Sequence, residues 1–518
     1  MNLFENEKIT FVKQQIKNMY VEDERPWVVG YSGGKDSTVV VQLIFEALSE
    51  LKQEQTLLNK KVYVISSDTL VETPLIISFI NRTLMLIQDK AIELGLPIET
   101  HKVKPEIEKS FWAMLIGKGY PSPRQKFRWC TDRLKIEPAN RFILDKVSTF
   151  GEVIMVLGVR DSESQTRAQV MESHTVAGKV LMRHSSLPNA FVYAPIRNFD
   201  TNDVWSYLLE YESPWGNDNH QLLTLYQNSD SECPLIVDKE VKESAGSCGN
   251  SRFGCWVCTV VQKDKALIGF IDKGEDWMIP LLKFRDRLYD IRSERGYRQK
   301  RRMNGQVYLT PVSKEEVELT KYQKVKQNGE EYLVPLIKGS GEEYRLIKEE
   351  EIGEYLKMEN VDLDTIEDSN ILIEEEEGTY KRLGLGPFTL EARKYLLRLL
   401  LETQKEVHNP YDPSFELISI EDLKVIRKYW LKDGDWEDSL PGIYHEVMNR
   451  EVDWEYDDRP PFEEDQITDL ELLCQEYNVS FSLLKELIQI EKKYSGYKIR
   501  RGLQQEFERA FRQDWLHV

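Results

Sequence analysis

Histidine, cysteine and long apolar runs are all scarce in this sequence. The seven histidines among 518 residues form no group from which a general base can be assigned. Six cysteines are too few for the dense disulfide framework of a small secreted protein. The first residues contain no apolar signal region, and no apolar run is long enough to span a bilayer. We therefore expect a cytoplasmic protein that makes no membrane contact.

Positive charge is also in short supply. The chain has 69 basic and 88 acidic residues, a formal net charge of −19, which argues against extensive coating of nucleic acid but leaves room for a local basic patch. A segment at 283–302 holds nine basic against three acidic residues, with interleaved aromatic side chains. Two interpretations remain open for it: a surface that follows a sugar-phosphate backbone, or an ordinary solvated helix face.

The length predicts roughly two to four domains, and we place the divisions at 1–275, 276–380 and 381–518. Within the second, residues 342–377 carry fifteen acids and three bases and are predicted to be an exposed insert or linker. The third shows helical apolar spacing and is predicted to be a helical C-terminal domain, with helices at 390–407, 420–431, 467–477 and 481–494.

The sequence WVVGYSGGKDST at 27–38 joins a short apolar strand to a loop rich in glycine and serine. Glycines let consecutive N–H groups converge on an anion, serines add hydroxyl donors, and the following apolar helix directs its positive end to the same place. A plain strand-to-helix turn is the simpler alternative. We predict that ATP phosphates bind to Ser32, Gly33, Gly34, Lys35, Asp36 and Ser37. The spacing is not that of a Walker loop, so cleavage between the β- and γ-phosphates is not expected.

Apolar strands alternate with helices through the first half of the chain, at 27–30, 61–66, 98–103 and 153–157. This alternation predicts an α/β fold with a parallel sheet covered by helices on both faces. In such sheets ligands bind beyond the carboxyl ends of the strands, so motifs that follow the strands are expected to meet there.

Three side chains that follow these strands are candidates for the nucleotide site. Asp68 is suitably placed for the adenosine, although a plain helix cap would also explain it. Arg160 and Arg167 bring guanidinium groups suited to phosphate oxygens, whereas a surface ion pair of Arg167 with Glu163 would account for part of that pattern. Together with Asp36, the two arginines are our candidate catalytic residues.

Four cysteines have spacing suited to a metal centre. Three stand close together in GSCGNSRFGCWVCT at 246–259 and the fourth lies far upstream, giving Cys130, Cys248, Cys255 and Cys258. A tetrathiolate set fits a structural Zn²⁺ or a [4Fe–4S] cluster, and the spacing does not distinguish them. Cys474 is predicted to be a small buried side chain, and Cys233 remains open between that role, a spare ligand and a sulfur acceptor.

The ordered motifs SGGKDS, Asp68-Thr69 with Glu72-Thr73, RLKIEP at 133–138, GVRDSES at 158–164 and PI…DVW at 195–205 resemble the phosphoadenylylsulfate reductase family of PP-loop ATP pyrophosphatases. That resemblance implies cleavage of ATP, with Mg²⁺, to AMP and pyrophosphate, and it favours a [4Fe–4S] cluster over zinc. Assimilatory reductases in this family end in a tail with a catalytic cysteine, and no cysteine follows Cys474 here. Reduction of a sulfonucleotide is therefore disfavoured.

The cysteine motif followed by a helical half most resembles the DndC sulfurtransferases of bacterial DNA phosphorothioation. This resemblance implies adenylation of a DNA backbone phosphate and replacement of one of its non-bridging oxygens by sulfur. The implied partners are DNA, a cysteine desulfurase that donates sulfur, and other DNA phosphorothioation subunits. The alternatives are a tRNA thiolation enzyme and a nucleotide-binding sensor subunit of a defence complex.

Overall fold

A computed structural model describes most of the chain in two compact units. The described residues are 3–163, 180–184, 187–228, 254–299, 302–303, 309–312, 322–327, 330–335, 372–376, 379–454, 464–494, 500 and 502–512. The first unit comprises residues 1–111, 123–286 and 406–417, and the second comprises residues 112–122, 287–405 and 418–518. The predicted boundaries at 275 and 380 remain predictions.

The first unit is built on a six-stranded sheet with the order β3-β2-β1-β4-β6-β5. Five strands are parallel neighbours, and only the short β5 pairs antiparallel, with β6. The strands are β1 (Trp27–Gly30), β2 (Val62–Ser67), β3 (Ile98–Val103), β4 (Val153–Val156), β5 (Met182–Arg183) and β6 (Ala190–Tyr193). The predicted fold class is thus confirmed as a mixed, mostly parallel sheet.

The chain runs outward from β1 to β3 and then returns to β4 on the other side of β1. This reversal places the crevice of an α/β sheet beyond the carboxyl ends of β1 and β4. Helices α2 (Lys35–Gln53), α3 (Pro74–Glu93) and α4 (Glu137–Phe150) connect strands of the sheet. Helix α1 (Leu3–Glu22) precedes β1, and the sheet is followed by α5 (Thr201–Glu210), α6 (Asn219–Asn228), α7 (Lys265–Asp272) and α8 (Ile279–Ile291), the last of which continues into the second unit.

Buried aliphatic side chains explain why α2 packs on the sheet. Its run Val39, Val40 and Val41 is at most 2 % exposed, as are Leu43 and Ile44. β-Branched residues disfavour an isolated helix, so burial against the sheet, and not helix propensity, stabilises this one. The central strand β1 is equally buried, because a parallel sheet has helices on both faces.

The second unit contains five short strands and six helices among its described residues. The strands are β7 (Leu309–Val312), β8 (Tyr322–Gln327), β9 (Glu330–Pro335), β10 (Leu372–Glu376) and β11 (Thr379–Leu383), in sheets β10-β11-β7 and β8-β9. The helices are α9 (Leu390–Glu406), α10 (Ile420–Lys432), α11 (Ser439–Met448), α12 (Glu464–Glu476), α13 (Phe481–Tyr494) and α14 (Leu503–Arg512). The helical C-terminal region is confirmed, with α11 and α14 added to the four predicted helices.

Two helices of the second unit, α9 and α10, contact a π-helical turn at Ala113–Gly117. The Trp430 indole N–H donates to the Ile116 carbonyl at 2.8 Å, and Arg393 donates to the Gly117 carbonyl at 2.7 Å. Both side chains are buried, so the carbonyls that a π-turn leaves unpaired are satisfied from α9 and α10. None of the helices described is both long and apolar enough to cross a membrane.

Candidate functional site

The loop after β1 has the backbone shape that an anion site requires. Gly33 adopts φ +72°, and a Cβ at this position would lie 2.4 Å from Ile80 Cγ1 of α3. Both observations favour glycine here, because an L side chain would be strained and would collide. Helix α2 then begins at Lys35 with Gly34 as its N-cap, and no side chain caps it. Its first amides therefore face the loop, as in anion-binding helix N-termini.

Two serine hydroxyls fix the ends of this loop to each other. The Ser32 N–H donates to Ser37 Oγ, and the two Oγ atoms are 3.2 Å apart. Ser37 Oγ donates in turn to the Gly34 carbonyl at 2.9 Å. The hydroxyls predicted to bind phosphate are thus brought together at the mouth of the loop, where they hold its curvature.

Tyr226 of α6 contacts the same loop and was not foreseen from the sequence. Its hydroxyl accepts the Lys35 N–H at 3.2 Å, and its ring lies 5.3 Å below the Lys35 ammonium. Trp205 of α5 packs edge-on against that ring. No local pattern around Tyr226 points to the loop, because only the tertiary fold brings these helices together.

Arg160, just after β4, is almost completely buried beside the loop. Its Nε donates to Asp36 Oδ1 at 2.6 Å, and its Nη1 donates to Ser162 Oγ at 3.1 Å and to Thr201 Oγ1 at 3.4 Å. Two of the three candidate catalytic residues, Arg160 and Asp36, are therefore brought together at one site. Asp200 caps α5. Thr201 does not cap the helix, and it lines the cleft, where its hydroxyl accepts from Arg160.

Gly158 explains how β4 comes so close to α2. A Cβ at this position would lie 2.9 Å from the Asp36 carbonyl carbon and oxygen and 3.0 Å from Ser37 N. The obstructing atoms are backbone, which cannot rotate away, so a glycine is needed for this approach.

These groups line one cleft of about 570 Å³, within the size range of small-molecule sites. Ser32, Gly34, Lys35, Asp36, Ser37 and Arg160 all line it, together with Ile65, Met155 and Leu157, which give it an apolar wall. Asp68 does not line this cleft. Its Oδ1 accepts the Leu70 N–H at 3.0 Å, and its Oδ2 lies 3.3 Å from Lys102 Nζ and 3.9 Å from Lys104 Nζ. Its role at the adenosine remains a prediction.

The opposite wall of the cleft joins it to the cysteine segment. Glu72 lines the cleft and pairs with Cys255 in an antiparallel β-bridge. The Thr69 hydroxyl donates to Glu72 Oε1 at 3.1 Å and lies 3.3 Å from Cys255 Sγ, while Thr73 Oγ1 donates to the Gly254 carbonyl at 2.8 Å. Lys135, which also lines the cleft, lies 3.4 Å from Glu72 Oε1.

Three of the four predicted metal ligands are described, and each is a free thiol. Burial, followed by the charge of Glu72, raises the pKa of Cys255, and burial, followed by the charge of Cys258, raises the pKa of Cys130. Both shifts favour the protonated thiols over the thiolates that a metal centre uses. As placed in the described ranges, no three His, Cys, Asp or Glu side chains could hold a metal ion. Cys248, Cys233 and Arg167 lie outside those ranges.

Both interpretations considered for the basic segment at 283–302 are wrong for its buried arginines, whereas Lys283 and Arg302 are exposed. Arg285 is fully buried and donates to the carbonyls of Cys258, Val261 and Gln262. Arg298 is also buried and donates to the Gly386 carbonyl at 2.7 Å. Phe284, one of the interleaved aromatic residues, is 1 % exposed. These guanidiniums stabilise loops from within, so they cannot reach a phosphate chain.

Comparison with known proteins agrees with the architecture. Residues 26–261 match the model of the phosphoadenosine phosphosulfate reductase domain. Residues 465–511 match the model of a small protein found in certain Dnd DNA modification systems. The first match covers β1 to the cysteine segment, and the second covers α12 to α14.

Individual relatives are more distant. An uncharacterized protein of Methanocaldococcus jannaschii is 28 % identical over 200 residues, which is 39 % of this chain, and the chain spans about a third (35 %) of that relative's length. A phosphoadenylyl-sulfate reductase structure from Candida auris is 19 % identical over 38 % of this chain and 78 % of that one, with a TM-score of 0.26. The U34-tRNA thiolase NcsA of Methanococcus maripaludis, solved with its [4Fe–4S] cluster, is 13 % identical over 55 % and 79 %, also with a TM-score of 0.26.

Proposed function

We propose that this chain, which carries a phosphoadenosine phosphosulfate reductase domain of the PP-loop superfamily and a Dnd-associated small domain, is an ATP-dependent sulfurtransferase acting on DNA. The reaction replaces a non-bridging oxygen of a backbone phosphate by sulfur. An anionic phosphoryl oxygen is a very poor leaving group, so the substitution needs prior activation. ATP provides it by adenylating that oxygen.

The proposed reaction has three steps. The DNA phosphate oxygen attacks the α-phosphorus of ATP, and pyrophosphate leaves. The terminal sulfur of a persulfide, donated by a cysteine desulfurase, then attacks the DNA phosphorus, and AMP leaves with the former DNA oxygen. A second thiol then attacks the carrier sulfur of the remaining S–S bond, forming a disulfide with the carrier and leaving the terminal sulfur on phosphorus.

The cleft residues have defined tasks in this scheme. Ser32, Ser37 and the first amides of α2 hold the pyrophosphate end of ATP, while Mg²⁺ offsets its charge. Arg160 is held by Asp36 at 2.6 Å and stabilises the negative charge that develops on the phosphoryl group in transfer. Because Arg160 is already desolvated and oriented, it does not have to reorganise as that charge appears.

The observation that carries the proposal is that the cysteine segment adjoins the cleft. Glu72 lines the same cleft as the phosphate loop and forms a β-bridge with Cys255, whose Sγ lies 3.3 Å from the Thr69 hydroxyl. A nucleotide on the loop would therefore have a cysteine next to the wall of its cleft, as sulfur transfer to an adenylated substrate demands. We assign Cys130, Cys248, Cys255 and Cys258 to hold a [4Fe–4S] cluster, which supplies iron able to bind sulfur.

The decisive experiment compares DNA from cells that carry the intact gene with DNA from cells that carry only a Ser32→Ala form. We expect phosphorothioate dinucleotides, measured by mass spectrometry after nuclease digestion, in the first alone. Ser49→Ala is the matched control, because Ser49 lies on the same helix and donates to the Phe45 carbonyl, away from the loop. It should leave the modification intact.

Two other results would replace the proposal. Thiolated tRNA bases and tRNA-dependent AMP release, without phosphorothioate DNA, would make the chain a tRNA thiolation enzyme. If the chain bound ATP but released no pyrophosphate with any substrate supplied, it would be a nucleotide sensor.

The C-terminal region supports the expected dependence on partner subunits. Leu472, Leu473 and Tyr477 are 58 %, 49 % and 69 % exposed on and just after α12. Acidic side chains flank them, and no lysine or arginine occurs between 464 and 484. We propose that this face binds an apolar, basic-rimmed surface of another DNA modification subunit. A Leu472→Ser/Leu473→Ser protein should keep ATP turnover in isolation and lose DNA modification in cells.

A further inference from the structure

Residues 124–128, here called the basic turn, form a largely exposed turn shortly before Cys130. The Arg124 N–H donates to the Phe127 carbonyl at 3.2 Å, and the Phe127 N–H donates back to the Arg124 carbonyl at 2.9 Å. This reciprocal pair closes the turn on itself. Residues 125–128 are all exposed.

Both ends of the basic turn are anchored in the first unit. On one side, the fully buried Thr259 hydroxyl donates to the Pro123 carbonyl at 2.8 Å. On the other, Trp129 is 5 % exposed and stacks on Phe111 with ring centroids 5.5 Å apart. A turn held at both ends is pre-organised, so little conformational entropy is lost when its side chains engage a ligand.

The tip combines two cations with an aromatic ring. Lys126 and Arg128 are exposed, and Phe127 is 42 % exposed. Within the ranges that the structure describes, neither cation has an ion-pair partner. Unpaired cations around an exposed aromatic ring match the two components of nucleic-acid binding, which are attraction to phosphates and contact of a ring with bases.

The basic turn lies along the path to the cleft. Trp129 and then Cys130 follow it in the chain, and the π-helical turn Asp132–Ile136 then presents Lys135 to the cleft lining. Arg133 in the π-helical turn forms an ion pair with Glu137 at 3.6 Å. The basic turn therefore offers more cations without an ion-pair partner than the π-helical turn does. A strand bound at 126–128 would thus lie two residues along the chain from Cys130, in the segment that leads to Lys135 of the cleft lining.

We propose that the basic turn binds the sugar-phosphate backbone of DNA next to the phosphate that enters the cleft. This inference rests on the proposed function, since it names the surface by which that substrate is held. Lys126 and Arg128 contact phosphates, and Phe127 contacts the bases or inserts between them. In a chain with a net charge of −19, such a local contact is needed to offset general repulsion of DNA.

The test measures binding of the full chain to a fluorescent DNA duplex, without ATP, over a series of salt concentrations. For the Lys126→Ala/Arg128→Ala protein, we expect an affinity loss on the order of tenfold. The slope of log K against log salt should become shallower by about 1.8, because each phosphate contact contributes about 0.9. Phe127→Ala should also weaken binding, by roughly tenfold, but with an unchanged slope, since stacking releases no counterion.

The matched control is Lys265→Ala/Lys273→Ala, which removes two exposed lysines at the ends of α7 in the same unit. It should leave both affinity and slope unchanged. ATP binding by all variants verifies that the cleft has folded.

The outcomes separate the two proposals. If the wild-type chain modifies and binds DNA but the Lys126→Ala/Arg128→Ala protein binds equally well with the same slope, the basic turn is only a solvated turn and this inference is overturned. If the wild type binds tRNA in preference to DNA, and the double variant weakens that binding, the occupant is RNA and DNA is excluded. If DNA modification fails in cells although duplex binding depends on the basic turn, the proposed chemistry fails while the surface stands.

Discussion

The basic turn at 124–128 and the basic segment at 283–302 are both rich in lysine and arginine, yet they use the charge in opposite ways. The segment has more basic residues, nine in all, but Arg285, Arg295 and Arg298 are buried. The turn has only three basic residues, and its two cations at the tip have no ion-pair partner in the structure described. The count of charges along a chain therefore does not locate a nucleic-acid surface.

The difference lies in what the guanidinium groups meet. In the segment, backbone carbonyls left unpaired at loop ends accept their protons. A guanidinium has five N–H donors, so one buried arginine can satisfy several such carbonyls at once. In the turn, the backbone pairs with itself, and nothing inside the protein needs the side chains.

The largest expected effect comes from removing the most deeply buried arginine. Arg285→Ala would leave the carbonyls of Cys258, Val261 and Gln262 without their donor. Unsatisfied buried carbonyls cost about 1–3 kcal/mol each, so we expect the free energy of unfolding to fall by about 3 kcal/mol or more. Urea unfolding followed by tryptophan fluorescence would measure it. If the Arg285→Ala protein were as stable as the wild type but bound DNA more weakly, the segment would instead be a DNA-binding surface.

A second prediction separates the buried arginines that stabilise the fold from Arg160, which we propose acts on substrate. Arg160 is as buried as Arg285, but its partners are a carboxylate and two hydroxyls in the cleft. Arg160→Lys keeps the positive charge but loses the planar guanidinium and its several N–H donors. Pyrophosphate release should therefore fall by about 100-fold or more. Arg197→Lys, at the half-exposed pair with Asp161, is the control and should stay within about twofold. Equal losses in both would remove the special role of Arg160.

The sequence predicted the first unit well because its signals are local. Strands of apolar residues, two adjacent glycines and the serines around them act through neighbours in the chain. For Arg160 and Asp36, the sequence predicts only that their two motifs follow different strands of the sheet. The contact between the two side chains depends on the tertiary fold. Tyr226 and the turn at 124–128 were missed, since each depends on which surfaces the tertiary fold covers.

A third prediction compares Gly158, beside the phosphate loop, with Gly296 of the basic segment. A Cβ at Gly158 would lie 2.9 Å from the Asp36 backbone, whereas a Cβ at Gly296 would meet nothing within 4 Å. Gly158→Ala should therefore cost about 1–3 kcal/mol of stability by forcing backbone apart, and should slow ATP turnover by moving the loop. Gly296→Ala should change stability by less than about 0.5 kcal/mol. Thermal unfolding and pyrophosphate release measure the pair, and similar values for both would contradict the close packing of β4 on α2.

The smallest expected effect tests the comparison most directly. Lys283 is one of the few exposed cations of the basic segment, so it is the residue there best able to meet a phosphate. If the segment is structural, Lys283→Ala should change DNA affinity by less than about twofold and leave the salt slope unchanged, because no counterion is released at that position. The same titration that tests the basic turn provides the measurement. A slope reduced by about 0.9 would show that Lys283 contacts a phosphate, and the two regions would then share the DNA surface.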